Sequence, residues 1–137
     1  MLILDTNVVS ELRKAGKADS RVRRWAANIP PAALYISVIS VLEIEIGVLL
    51  VERRDRVQGK LLRAWFEDRV LPVFEDRILP IDTAVARRCA ALHVPDPHTD
   101  RDALIAATAL VHRMTVVTRN TADFDGTGAP LLNPWTA

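Results

Sequence analysis

Four acids of this chain, Asp5, Glu43, Asp102 and Asp123, have the type and placement that metal-assisted chemistry needs. Asp5 ends the apolar run "LIL" and is followed by Thr6 and Asn7, so three hydrogen-bonding side chains gather at one strand end. Glu43 stands near the start of a helix after a second strand. Asp102 opens another helix, and Asp123 lies just beyond the strand "TVVT". Taken singly, each has a plainer reading. "SVLE" and "TDRD" have the form of a capping box, the acid returning to the backbone of Ser40 or Thr99, and "NTAD" nearly so. Caps are commoner than metal acids, so an isolated acid of this kind reads first as a cap. The two readings are compatible. A carboxylate at a helix N-terminus feels the positive end of the dipole, tends to stay ionised and suits a hard cation. Ionised carboxylates in one cleft repel, by about 4 kcal/mol for a pair at about 4 Å and an effective dielectric of about 20. Such a cluster needs a divalent cation or keeps a proton. Oxygen donors without His or Cys point to Mg²⁺ or Mn²⁺ rather than zinc.

The remaining reactive side chains are weaker candidates. Glu45 falls on roughly the opposite side of the helix from Glu43. Asp96, Asp100 and Asp125 read as solvated loop or turn acids, Asp100 also as a spare acid for the cleft. His93, His98 and His112 lack zinc spacing and read as surface or helix-end residues. Cys89, with no His or Cys partner nearby, reads as a buried small hydrophobe. No Gly-rich phosphate loop is present.

The elements that must position the acids follow from apolar patterning. "LIL", "ALYISVI", "RILPID", "TVVT" and "PLLNPW" carry strands. Between them fall helices over Val8–Leu12, over "DSRVRRWAANIPP" (started by Asp19 or Ser20), over "SVLEIEIGVLLVERR", over "DRVQGKLLRAWFEDRVLPVF" (closing before Pro72), over "TAVARRCAALH" and over "RDALIAATALVHRM". "RNTADFDGTG" is a loop. Strands separated by helices predict a three-layer α/β/α sandwich with a mostly parallel central sheet. In such sheets ligands bind beyond the carboxyl ends of the strands, where these acids fall.

At 137 residues with no repeat, linker or low-complexity run, the chain reads as one domain over 1–137. A formal net charge of +1 gives no bulk attraction to nucleic acid, so any must come from local patches. The single cysteine suits a reducing compartment, and no stretch reads as a membrane span or a signal peptide, so the expected location is the cytoplasm.

Together "LILDTNVVSEL", "ISVLEIEIGV", "RDALIAATAL", "VVTRNTADF" and "LLNPW" resemble the PIN-domain ribonucleases, and within them the VapC-type (FitB-like) toxins of toxin–antitoxin pairs. The likeness spans nearly the whole chain in the family's order. "DTN" alone is weak and the five together are strong. The resemblance implies a Mg²⁺- or Mn²⁺-dependent endoribonuclease, with Asp5, Glu43, Asp102 and Asp123 as first to fourth acids. Thr6 and Thr118 match hydroxyl residues often found at the site. Asn120 stands where some members carry an acid, which implies weaker hold on a second metal. The stretch from Cys89 to Asp102 is shorter than in many relatives. A cation acidifies a water that attacks the phosphodiester in line, without a protein nucleophile, leaving 5′-phosphate and 3′-hydroxyl ends. The family usually forms homodimers and is inhibited by a small VapB-type antitoxin, in complexes that include larger assemblies. The antitoxin often places an arginine over the acidic site.

Two basic groups and one apolar group bear on partners. Arg53, Arg56, Lys60 and Arg63 fall on one helical face, and Arg21, Arg23 and Arg24 form a second cluster. Either suits phosphates, although a solvated face paired with Glu52, Asp55 and Glu67 is the stronger reading. Leu61, Leu62, Trp65 and Phe66 exceed what one buried stripe needs and suit an antitoxin groove or a dimer face. Two competing functions remain: a catalytically inactive PIN-like module that binds RNA or protein, and a phosphotransferase with Asp5 as nucleophile. The second lacks the aspartate two residues on that such enzymes commonly carry.

Overall fold

The computed structural model describes residues 1–137 and is built on a five-stranded sheet, all of whose pairings are parallel. Chain order is β1 (Leu2–Leu4), α1 (Thr6–Arg13), α2 (Ser20–Ala27), β2 (Leu34–Ser37), α3 (Val38–Arg54), α4 (Arg56–Trp65), α5 (Leu71–Phe74), β3 (Ile78–Leu79), α6 (Thr83–Leu92), α7 (Asp100–His112), β4 (Thr115–Val117) and β5 (Leu131–Leu132). Across the sheet the order is β3-β2-β1-β4-β5. The chain winds outward from β1 on one side through β2 and on the other through β4. The switch point, where a cleft must open, is therefore the carboxyl end of β1 and β4. Ile3 and Val116 face one apolar cluster with α6 and α7, while Leu4 and Val117 face a second with α1 to α4. Burial on both faces is what a parallel sheet requires of its strands. No helix is long and apolar enough to cross a membrane.

Three expectations need correction. The second strand stops at Ser37, whose hydroxyl accepts from Ile39 N–H and so starts α3 at Val38. Ser40 and Glu43 are therefore inside the helix, not a capping box. Nor does the fourth helix close before Pro72. A π turn over Phe66–Val70, with Leu71 N–H reaching the Phe66 carbonyl, carries the chain into α5 with Pro72 in its first turn. Proline needs no N–H there, and the widened turn relieves the clash of its ring with the carbonyl four residues back. Finally, Phe66 belongs to the core and only Leu61 of the four apolar residues is mostly exposed.

Helices α3 and α4 form a tight hairpin. A Cβ on Gly59 would stand 2.5 Å from Glu52 Cα, a distance no side chain tolerates. Arg63 closes the same hairpin, at 2.8 Å from Glu45, 3.0 Å from Glu52 and 3.6 Å from Glu67. The expected basic face thus loses Arg63 to internal pairing and Arg53 to α3, because the helix breaks at Asp55, which caps α4. Gly59→Ala is expected to cost about 1–3 kcal/mol through overpacking, despite alanine's better helix propensity. Urea melts would check it, and an unchanged or raised midpoint would contradict the close approach.

Candidate active site

Asp5 leaves the end of β1 with its N–H bonded to the Val117 carbonyl (2.8 Å), so the central strand pair sets its position. Its carboxylate caps α1 by accepting from Thr6 N–H (2.8 Å) and also accepts from the Thr118 hydroxyl (2.8 Å) at the end of β4. The capping and cleft readings thus hold together. Thr118 in turn accepts from Asn120 N–H (3.0 Å) and lies 3.4 Å from the Asn7 amide, which also reaches Asp5 Oδ2 (3.2 Å).

Glu43 projects from α3 to the same end of the sheet. The Thr6 hydroxyl lies 2.7 Å from Glu43 Oε1 and 2.9 Å from Ser40 Oγ. A hydroxyl has one proton. Thr6 donates it to the carboxylate, and the buried Ser40 hydroxyl donates to Thr6. Glu43 Oε2 lies 3.7 Å from the Arg101 guanidinium. Asp102 stands in the first turn of α7, whose cap residue Thr99 makes no side-chain capping bond. Asp123 lies on a 3₁₀ turn over Thr121–Phe124, where Asn120 likewise makes no side-chain cap. These two acids are therefore not engaged as capping boxes.

The four acids feel one another. Burial pushes the Asp102 carboxyl up to about 6, with further push from Asp5, Asp123 and Glu43. The Asp5 carboxyl is also raised, first by burial and then, against the lowering effect of Thr118 and Thr6, by Glu43 and Asp123. At Asp5 and Asp102 burial and like charge outweigh the help of the helix dipole and disfavour the ionised form. No group of three or more acidic, His or Cys side chains stands close enough to cage an ion. The donors the four acids offer are all carboxylate oxygens, the kind that hard divalent cations take.

Among the discounted residues, Glu45 is taken by Arg63 and Asp100 is almost wholly exposed. Cys89 is buried, but it does have a partner: His93 Nε2 lies 3.8 Å from its sulfur. His93 sits one helical turn on, at the end of α6, and also accepts from His98 N–H (3.1 Å). The i, i+4 spacing of Cys89 and His93 was the available signal. Two arginines and a serine at the site were missed. Arg101 precedes Asp102 and Arg119 follows Thr118, so adjacency to two of the acids was their only mark. Ser40 was visible only as a cap.

The family model for the PIN domain matches residues 2–129. The chain belongs to the PIN-domain family. This PIN domain is 36% identical over 143 residues to VapC ribonuclease Y4jK of Sinorhizobium fredii, covering 98% of each chain. It superposes on the crystal structure of FitAcB from Neisseria gonorrhoeae with a TM-score of 0.91 at 34% identity, over 100% of both chains. A toxin–antitoxin complex from Klebsiella pneumoniae gives a TM-score of 0.68 at 27% identity over 98% of each chain. The fold of this PIN domain is thereby the expected α/β/α sandwich.

Proposed function

We propose that this protein is the ribonuclease toxin of a toxin–antitoxin pair and cuts RNA with Asp5, Glu43, Asp102 and Asp123 holding Mg²⁺ or Mn²⁺. The observation that carries the reading is the pair of buried carboxyls Asp5 and Asp102, both raised first by burial and further by neighbouring Glu43 and Asp123. The likeness to a VapC ribonuclease supports the substrate class, and the likeness to a toxin–antitoxin complex supports the partner.

The cation, when bound, lowers the pKa of a water and offsets charge on the phosphate. The chain's own groups do the rest. Asp5 is fixed by three hydrogen bonds and Glu43 by Thr6, so both carboxylates are oriented before substrate arrives. Thr118 and Asn7 hold Asp5 from the far side. Asp102, whose carboxyl lies near 6 without a cation, gives up its proton readily as the cation binds and then serves as one of its oxygen donors. In-line displacement leaves 5′-phosphate and 3′-hydroxyl ends.

The protein acts in the cytoplasm with a VapB-type antitoxin. Leu42, Leu49 and Leu50 on α3 and Val57 and Leu61 on α4 are exposed apolar residues that suit its homodimer or antitoxin contacts. Growth tests the reading. The wild-type chain expressed alone should slow bacterial growth and degrade RNA, and the cognate antitoxin should restore growth. Growth slowed equally by wild type and by Asp5→Asn would assign the effect to binding, not cleavage.

A further inference from the structure

Two arginines border the site, Arg101 next to Asp102 in the chain and Arg119 next to Thr118, and they are held in opposite ways. Arg119 is fixed. Its N–H donates to Asn7 Oδ1 (3.3 Å) and its carbonyl accepts from the Asn133 amide (3.4 Å). Its guanidinium lies over the Trp135 ring, 5.3 Å from the centroid, rather than against a carboxylate. Trp135 is itself buried, so the stacking surface does not move. Arg101 is engaged instead. It lies 3.7 Å from Glu43 Oε2, with the Arg101 side chain 49% exposed. An ion pair this open to solvent is weak and exchanges cheaply.

RNA must bring a polyanion to a cleft lined by four acids, and a net charge of +1 supplies no bulk attraction. Cations at the rim are needed, and these two residues lie next to the acids themselves. Resting on the ribonuclease reading above, we propose that Arg119 and Arg101 bind the RNA backbone on either side of the acid cluster, and that Glu43 withholds Arg101 until a divalent cation takes that carboxylate. Arg119 is a standing phosphate ligand, presented by Trp135 whether or not metal is present. Arg101 becomes one only on metal loading. The exchange couples the two ligands: metal binding frees a cation for RNA, and an empty site keeps that cation on its own acid.

The test uses the full chain, a fluorescein-labelled single-stranded RNA and anisotropy, in EDTA and in Ca²⁺, with gels verifying that the RNA stays intact. Arg119→Ala should weaken RNA binding about fivefold to tenfold in both conditions and lower the log–log salt slope by about 0.7. Arg101→Ala should lose clearly less affinity in EDTA than in Ca²⁺, where it should fall about as far as Arg119→Ala. A second readout needs no RNA. In Mn²⁺ titrations followed by thermal melting, Arg101→Ala should reach half its stabilisation at a severalfold lower Mn²⁺ concentration, because the metal no longer competes with Arg101 for Glu43. Both arginines are exposed, so the variants should fold, and the same melts report it. Equal loss for Arg101→Ala in EDTA and Ca²⁺ overturns the withholding. No loss in either overturns its role as an RNA ligand. If wild type itself neither binds nor cuts RNA, the ribonuclease reading fails and this inference goes with it. Wild-type binding with an unaffected Arg101→Ala defeats the inference alone.

Discussion

Asp5→Asn is expected to cut ribonuclease activity by at least about 100-fold, since even partners of metal ligands cost about 10–100-fold when lost. The same variant should stay folded and melt close to wild type, because relief of the buried charge offsets the Thr118 and Asn7 bonds that an amide nitrogen at Oδ2 loses. Asparagine caps helices as well as aspartate does, so the bond from Thr6 N–H survives. Its side chain carries no charge, and burial opposes the Asp5 charge in the folded protein. Loss of activity with retained or raised stability separates a functional carboxylate from a structural cap. A nuclease assay run beside thermal melts reads both. Full activity in a folded variant would remove Asp5 from the chemistry.

The second large effect is a stability that grows on mild acidification. The Asp102 carboxyl lies near 6 in the folded protein against an ordinary value of 3.8. Over that interval the folded state holds more protons than the unfolded state, so stability rises as pH falls through it. In EDTA the melting temperature should therefore climb between about pH 7 and about pH 5, the reverse of the usual acid response of paired carboxylates. Lower still, the trend should turn. Glu11 and Asp19 are held below their ordinary values by Lys14 and Arg21 respectively, so their contributions are lost as they protonate. Asp102→Asn should flatten the climb. Millimolar Mg²⁺ or Mn²⁺ should raise the melting temperature at neutral pH by mass action and shrink the pH effect, because metal and proton compete for the same oxygens. A wild-type midpoint that falls steadily from about pH 7 in EDTA would show that the acids do not strain one another.

Much of this was legible in the sequence, for identifiable reasons. The apolar runs ending at Leu4 and Val117 fix two strands, and an acid or a hydroxyl directly after each marks the cleft. The alanines of "DALIAATAL" signal a helix packed closely on both sides, and four of them are buried in α7. Other features depended on contacts far apart in the chain. Ser37 and Ser40 both suit a cap, and only the end of β2 decides between them. The π turn before Pro72 reflects a conflict between a proline and the packing of Phe66 and Val70, which no local periodicity encodes. The raised carboxyls of Asp5 and Asp102 depend on burial and neighbours that the chain order does not give.

The bond between Thr118 and Asp5 joins residues 113 positions apart, and β1 pairs with β4 as well as β2. The first acid to be synthesised is thus among the last to be seated. A ribosome releases Asp5 early, yet its strand has no partner on one side, and its carboxylate lacks the Thr118 hydroxyl, until translation has passed β4. Long-range pairing of this kind also slows folding once the residues are available. A nascent or prematurely terminated chain that stops short of β4 therefore has no assembled acid site. The topology itself delays the assembly of the acid site until the molecule is nearly made.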